Sequence, residues 1–217
     1  MSATYLPGME SERRDLSKSQ WFTDPKLARA VWLWANRYEQ AESVLEPAAG
    51  HGALIRPIYE LPMRCAHVMA VDIDHGCVTA LHQLAGRARQ RHGVWQVFEA
   101  DFLDLWTELT VRFDLVFMNP PYEDGKAEEF ILRGLRVGRR VVGIFKASIQ
   151  HGYERFTGLW SQAVVTREVK LARRPSFGIG ASGSKGGETD FVVLEIVGAP
   201  MQGASGFERL VRTETWP

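Results

Sequence analysis

The sequence predicts an α/β fold, a seven-stranded, doubly wound, mostly parallel sheet with a C-terminal antiparallel hairpin. Five short apolar segments rich in β-branched residues alternate with amphipathic helical segments, which is the pattern of parallel strands joined by crossover helices. Two further apolar segments near the C-terminus are separated only by a polar, glycine-rich connection that contains no helical pattern. Such a pair predicts an antiparallel hairpin with a long loop.

The first predicted element is a helix, because Asp24 and Pro25 follow Thr23 as a capping residue and a first-turn proline. Its expected buried face between residues 26 and 38 consists of Leu27, Ala30, Val31, Leu33 and Trp34. The five parallel strands are then expected at 43–46, 66–72, 94–99, 113–118 and 140–145, and the hairpin strands at 163–171 and 190–197.

Length and composition favour one globular domain. The chain has 217 residues, of which 45% are hydrophobic and 24% are charged. We expect a polar N-terminal segment over residues 1–20 and a single domain over 21–217. The cysteines Cys65 and Cys77 match no metal-ligand spacing and no disulfide framework, so we expect no metal and a cytoplasmic location. The sequence contains no signal peptide and no apolar run of the roughly 20 residues that span a membrane, so we expect no membrane contact.

Charge is distributed unevenly along the chain. The 26 basic and 26 acidic residues cancel, but residues 1–125 carry 12 basic and 17 acidic side chains, and residues 126–217 carry 14 and 9. Between residues 126 and 174 there are eleven basic residues against four acidic ones. This region is compatible with a surface that attracts a polyanion, or with an ordinary solvated helix face.

A glycine-containing turn follows the first predicted strand. Gly50 and Gly52 permit close approach of a ligand to the backbone between that strand and the next helix. The third glycine of a dinucleotide-binding fingerprint is missing, which disfavours NAD and similar cofactors.

Acidic side chains stand at the ends of the second and third predicted strands. Asp72, followed by Ile73, lies twenty residues after Gly52, where a carboxylate can accept hydrogen bonds from a ribose diol. Asp101 and Phe102 follow the third strand, where an acid and a ring can contact an adenine. These groups together predict a nucleoside site at the carboxyl edge of the sheet.

The fourth strand is followed by Asn119, Pro120, Pro121 and Tyr122. The prolines restrict the backbone and leave carbonyl groups available, and the Asn119 side chain adds a further acceptor. Two acceptors that face an NH₂ group can free its nitrogen lone pair, and the Tyr122 ring can stack on a planar group. With this motif the sequence resembles the S-adenosylmethionine-dependent amino-methyltransferases, whose fold is the Rossmann-like class I methyltransferase fold.

The resemblance is strongest to adenine-N6 DNA methyltransferases, which have Leu-Glu-Pro before the glycines, as at residues 45–47, and an upstream aromatic-hydroxyl motif, as at 21–23. It implies S-adenosyl-L-methionine as cofactor, with Glu46 near the cofactor amino group, Asp72 on the ribose, and Asp101 and Phe102 on the adenine. The full set of implied cofactor-binding residues is Phe22, Thr23, Glu46, Pro47, Gly50, Gly52, Asp72, Ile73, Asp101, Phe102 and Asn119. In this sequence Asp24 separates Thr23 from the proline that usually follows directly.

The implied reaction is methylation of the adenine N6 amino group in DNA, with Asn119, Pro120, Pro121 and Tyr122 as catalytic residues. The alternatives are methylation of an RNA base, methylation of a protein glutamine, or a catalytically silent cofactor-binding subunit of a larger complex. The resemblance also implies a second aromatic on the hairpin, for which Phe177 is the candidate, and residues 178–187 form the expected substrate loop. We expect DNA as the partner, with RNA as the alternative. A homodimer or a separate specificity partner would supply sequence recognition, because no large recognition domain follows the motif.

Overall fold

A computed structural model describes residues 23–61, 65–89, 93–105, 112–123, 125–172, 175 and 189–199, together with the backbone of 212–216. The described residues form a sheet whose strands have the spatial order β3-β2-β1-β4-β5-β7-β6-β8. In chain order the strands are β1 (Ser43–Glu46), β2 (His67–Asp72), β3 (Val94–Glu99), β4 (Phe113–Met118), β5 (Gly138–Lys146), β6 (Ala163–Leu171), β7 (Phe191–Gly198) and β8 (Arg212–Trp216).

Helices connect the strands. They are α1 (Pro25–Ala35), α2 (Arg56–Glu60), α3 (His75–Ala88), α4 (Phe102–Leu105), α5 (Lys126–Val137) and α6 (Tyr153–Thr157), with a short 3-10 helix at Ala147–Gln150. Asp24 caps α1, because its Oδ1 accepts from the backbone N–H groups of Lys26 at 2.8 Å and Leu27 at 3.1 Å. The predicted helix start is therefore confirmed. No helix among the described residues has the length and apolar character needed to cross a bilayer.

The first five strands are parallel, and the hairpin is antiparallel. β1 pairs in parallel with both β2 and β4, and β4 pairs in parallel with β5. β7 then runs antiparallel to β5 and β6. The predicted α/β class and its seven strands are confirmed, and the order reverses direction at β1, where open α/β sheets bind ligands beyond the carboxyl ends of their strands.

Both faces of the sheet are buried at its central strands β1, β4 and β5, which explains why these strands are mostly apolar. One core layer joins α1, α2 and α3 to alternate strand residues such as Val44 and Phe117, and Trp32 of α1 lies 5.8 Å from Phe117 between ring centroids. The second layer joins α5 to the intervening residues, including Leu45 and Val116.

Two features differ from the sequence prediction. The edge strand β8 was not predicted, and it pairs in parallel with β6. The predicted face of α1 was wrong in part, because the buried residues are Ala28, Val31, Trp32, Trp34 and Ala35, while Leu33 is 46% exposed. The helix is apolar around most of its circumference, so its contact with the sheet, rather than its own periodicity, selects which residues are buried.

The C-terminal end of α1 is bound by the arginine clamp, which we define as Arg140, Arg167 and Glu195. Arg167 donates to the carbonyls of Trp34 and Ala35, and Arg140 also donates to Ala35. Both guanidinium groups pair with the Glu195 carboxylate. These bonds satisfy carbonyls that a helix end leaves unpaired and place positive charge at the negative end of its dipole.

Candidate active site

The glycine turn between β1 and α2 is tied to the end of β2 by Asp72. Asp72 Oδ2 accepts from the backbone N–H of Gly50 at 2.7 Å, and Oδ1 accepts from that of Asp74 at 2.9 Å. Gly50 and Gly52 both have positive φ angles, of 52° and 77°. The carboxylate that the sequence places near a ribose therefore also orders the turn that precedes it.

Gly52 is required for packing as well as for its backbone conformation. A Cβ atom at this position would lie 2.7 Å from a methyl carbon of Leu84 and 3.1 Å from one of Leu81, both on α3. The turn thus packs against α3 without a side chain between them.

Glu46 is a buried carboxylate at the end of β1, with 2% exposure. It accepts a hydrogen bond from the backbone N–H of Ile55, while its Oε2 atom has no hydrogen-bond partner among the described residues. Burial, together with the negative charge of Asp72, raises the pKa of Glu46 well above its usual value. A buried carboxylate with an unused oxygen suits a cationic group, so this position fits the amino group of the cofactor that the resemblance implies.

The other predicted cofactor residues differ in their exposure. Pro47 is buried directly after β1, and Ile73 at the end of β2 is 65% exposed and can offer an apolar surface to a ligand. Asp101 is half-buried, and its Oδ1 accepts from the backbone N–H of Leu103 at 2.8 Å. Phe102 is only 1% exposed and packs against Phe130, so its contact with an adenine stays a prediction.

Asn119 lies buried at the end of β4, in contact with two other side chains of the predicted site. Its Nδ2 donates to Thr23 Oγ1 at 3.0 Å, and its Oδ1 accepts from the Tyr122 hydroxyl. Thr23 and Asn119 are 7% and 8% exposed. The amide is therefore oriented from both ends, and one of its two partners, Thr23, lies directly before the cap residue of α1.

The Tyr122 hydroxyl also lies 3.1 Å from the Ile144 carbonyl oxygen, so its proton is shared between two acceptors. The Tyr122 ring lies 5.5 Å from the Phe191 ring and 5.4 Å from Lys146 Nζ. Burial and the charge of Glu123 raise the pKa of Tyr122 well above its usual value, so the hydroxyl acts as a donor.

Several functional features were absent from the sequence analysis. The bond between Thr23 and Asn119 joins residues 96 positions apart, and the Lys146 contact with Tyr122 depends on strand order. Thr23 is predicted to bind the cofactor, and in the structure it accepts a hydrogen bond from the Asn119 amide. Phe22 and Phe177, with the predicted loop at 178–187, lie outside the described residues.

The predicted basic surface is smaller than the sequence suggests. Arg140 and Arg167 are counted among its eleven basic residues, but both are buried in the arginine clamp. Arg155 pairs with Glu128, and Arg133 donates to the Leu103 carbonyl at 2.9 Å. The prediction was therefore wrong for Arg140 and Arg167, which serve the fold.

The fold can be compared with solved structures. A protein of Pyrococcus horikoshii described as a "putative RNA methyltransferase" has a TM-score of 0.70 at 19% identity, with 89% of this chain and 94% of that chain covered. A protein of Listeria monocytogenes described as a "putative class I S-adenosylmethionine-dependent methyltransferase" has a TM-score of 0.60 at 15% identity, with coverage of 88% and 64%. The methyltransferase subunit of a type I restriction-modification system from Streptococcus thermophilus has a TM-score of 0.60 at 12% identity, with coverage of 85% and 47%.

The chain therefore has the fold of the class I methyltransferases. No curated protein matches it in sequence. The chain belongs to the family described as Conserved hypothetical protein 95, which it matches over residues 23–137. That match extends from Thr23 to the end of α5, so it includes the glycine turn, the acids at the strand ends and residues 119–122.

Proposed function

We propose that this protein is an S-adenosylmethionine-dependent methyltransferase that acts on the exocyclic amino group of adenine in DNA. The observation that carries the proposal is the buried Asn119 side chain at the end of β4, oriented by Thr23 on one side and Tyr122 on the other. An amide held in this way is a preorganised polar group, which is the type of group that stabilises developing charge most effectively.

The residues at the carboxyl edge fit the cofactor. Glu46 would accept from its amino group, because this buried carboxylate has an oxygen without a partner. Asp72 would accept from the ribose hydroxyls, since each of its oxygens carries lone pairs beyond the backbone bond already made. Ile73 would cover one face of the adenine with its exposed side chain. When bound, the cofactor supplies a methyl group that its positive sulfur already activates.

The catalytic motif would act on the target nitrogen. Asn119 Oδ1 and the carbonyl groups of Pro120 and Pro121 can accept hydrogen bonds from an NH₂ group, which leaves the nitrogen lone pair available. Asn119 Oδ1 is already an acceptor for the Tyr122 hydroxyl, so the target amino group would share or replace that bond. No histidine or carboxylate is required as a strong base, because the methyl group is activated.

Tyr122 would stack on the target base after the base leaves its helix. Its ring is half-buried beside Phe191, and Lys146 lies near it at the end of β5. Phe177 would provide the opposing ring. DNA adenine is the first candidate substrate because the motif and its flanking residues resemble that group of enzymes most strongly.

A base in RNA is the second candidate. It is supported by the similarity in fold to the Pyrococcus horikoshii protein described as a "putative RNA methyltransferase", because that similarity covers most of both chains. RNA and DNA bases present the same planar amino group to Asn119, so the motif does not distinguish them.

Methyl transfer tests the proposal directly. The protein and labelled S-adenosylmethionine are incubated in parallel reactions with duplex DNA, structured RNA or total cell protein. The nucleic acid products are digested to nucleosides, and the labelled nucleoside is identified. Label in N6-methyladenine from DNA is the expected result. Label confined to RNA would establish the second candidate, and label confined to protein would refute both.

A calorimetric titration with S-adenosylhomocysteine tests the cofactor assignment separately. Binding is expected for the wild-type protein and no binding is expected for NAD. Absence of heat with S-adenosylhomocysteine would contradict the proposed site, whatever the substrate.

A further inference from the structure

Helix α6 displays two aromatic side chains to solvent. Tyr153 is 81% exposed and Phe156 is 71% exposed, and no residue of α6 is buried. Residues three positions apart on a helix are neighbours on one face, so the two rings form one surface. An adjacent pair of exposed rings is a stronger indication of binding than single apolar residues scattered over a surface.

The short helix is held firmly to the rest of the protein. Arg155 pairs with Glu128 of α5 and donates to the carbonyl of His151 at 3.2 Å. The Trp160 indole N–H donates to the Ile149 carbonyl at 3.0 Å, which fixes the chain on either side of α6. The helix that carries the two rings is therefore fixed to the rest of the protein by an ion pair and hydrogen bonds.

Helix α6 is linked to the carboxyl edge of the sheet, where residues 119–122 lie, by the connection from β5 and by one contact with the start of α5. It follows the carboxyl end of β5, and Ile144 near that end accepts from the Tyr122 hydroxyl. Glu128, which pairs with Arg155, is in the first turn of α5, only six residues after Tyr122. Lys146, the last residue of β5, carries its ammonium group 5.4 Å from the Tyr122 ring centroid.

We propose that Lys146, on the Tyr122 side of the carboxyl edge, and Tyr153 and Phe156, on the α5 side, bind the unpaired nucleotides on either side of the target base, and we call these three residues the flanking surface. Every base has an apolar face that can stack on an aromatic ring whatever its sequence, and a lysine beside the target can pair with a phosphate. This inference rests on the proposed function and adds to it a defined place for the strand on either side of the target.

The residues of the flanking surface contribute two different kinds of interaction, stacking and ionic contact. The Arg155 charge is paired with Glu128, and the other charged residue of α6 is the acidic Glu154, so α6 offers no cation to a phosphate and contributes stacking alone. Lys146 contributes one ionic contact that depends on salt. The two contributions can therefore be measured independently.

The test is fluorescence anisotropy with the full chain, saturating S-adenosylhomocysteine, and labelled single-stranded DNA and RNA oligonucleotides that contain one adenine. Tyr153→Ala and Phe156→Ala are each expected to raise Kd by about 5- to 150-fold. Tyr153→Phe and Phe156→Tyr, which keep a ring, are expected to restore most of the affinity. Lys146→Met is expected to lower the slope of log K against log salt by about 0.7 to 0.9.

Two exposed residues near the C-terminal ends of α1 and α3 provide matched controls. Leu33→Ala removes an exposed apolar side chain near the C-terminal end of α1, and Arg87→Gln removes an exposed charge from the last turn of α3. Both are expected to leave Kd and the salt slope unchanged. Calorimetry with S-adenosylhomocysteine checks that every variant is folded and binds cofactor.

The outcomes separate this inference from the proposed function. If the wild-type protein binds and methylates nucleic acid while the alanine variants bind equally well, the flanking surface is wrong and the proposed function stands. If the wild-type protein binds neither oligonucleotide and methylates only protein, the proposed function fails and the flanking surface fails with it. Loss of affinity for one oligonucleotide alone identifies DNA or RNA as the strand that the surface binds.

Discussion

Replacing Asn119 by alanine is expected to reduce methyl transfer strongly while leaving cofactor binding nearly intact. The side chain is 8% exposed and is oriented by its bonds to Thr23 and Tyr122, so its carbonyl is positioned before the substrate arrives. Removing one preorganised polar group of this kind typically lowers kcat by about 10²- to 10³-fold, or about 3–4 kcal/mol. The measurement is single-turnover methyl transfer at saturating cofactor and nucleic acid.

The same substitution removes two buried hydrogen bonds, which together contribute roughly 1–3 kcal/mol to folding. Asn36→Ala is a matched control, because Asn36 is also buried, with 9% exposure. It donates to the Trp32 carbonyl at 2.9 Å and accepts from the Ala41 N–H at 2.8 Å, at the opposite end of α1 from Thr23. Asn36→Ala should lose similar stability and keep wild-type turnover per folded molecule.

Two results would refute this reasoning. If Asn119→Ala retained near wild-type turnover, the amide would not act on the target nitrogen. If it lost affinity for S-adenosylhomocysteine by the same factor as turnover, Asn119 would serve the cofactor or the turn rather than the reaction.

Three further predictions concern the stacking ring, the buried acid and the arginine clamp. Tyr122→Phe should keep its affinity for nucleic acid and most of its activity, whereas Tyr122→Ala should weaken binding by ~1–3 kcal/mol in a titration with oligonucleotide; equal inactivity of both variants would show that the hydroxyl is essential. Because burial raises the pKa of Glu46, lowering the pH protonates this acid and should weaken the binding of S-adenosylhomocysteine. Calorimetry across a pH series measures this change. The Glu46→Gln variant should bind about tenfold or more weakly than wild type at high pH, and its affinity should no longer depend on pH in this way. Burial alone would raise the pKa of Glu195, but its bonds to Arg167 and the nearby charge of Arg140 lower this pKa overall. The arginine clamp therefore stabilises the fold at pH values above the usual pKa of a carboxyl group. This stabilisation is lost as the pH falls through the lowered pKa of Glu195. Arg167→Met should lower the free energy of unfolding by about 3–5 kcal/mol in urea denaturation near neutral pH, and it should move the acid-induced loss of stability to higher pH. An unchanged urea midpoint would contradict the stabilising role of the arginine clamp.

The element types followed from local patterns in the sequence. Apolar runs such as 113–118, rich in β-branched and aromatic residues, predicted buried strands. The Asp24-Pro25 pair predicted a helix start, because capping and proline geometry depend on neighbouring residues alone. The β8 strand could not be predicted in this way, because it is short and polar and its existence depends on the exposed edge of β6.

The positions of Gly50, Asp72 and Asn119 at the carboxyl edge were likewise determined by the sequence. Gly50 lies in the turn after β1, Asp72 is the last residue of β2 and Asn119 directly follows β4. Parallel strands in a doubly wound sheet must bring their carboxyl ends together. What each group contacts was decided by the tertiary structure, since the bond from Asn119 to Thr23 requires α1 to pack across the sheet.

The charged residues show the same division. The sequence determined that residues 126–174 are rich in arginine and lysine, but it could not separate the cations that bind a polyanion from those that serve the fold. The structure places Arg140 and Arg167 against Glu195 and the end of α1, because strand pairing brings β5, β6 and β7 side by side and a bulge between Val165 and Arg167 shifts the register there. Local chemistry thus determined which residues could bind and react, and long-range packing decided which of them are available to do so.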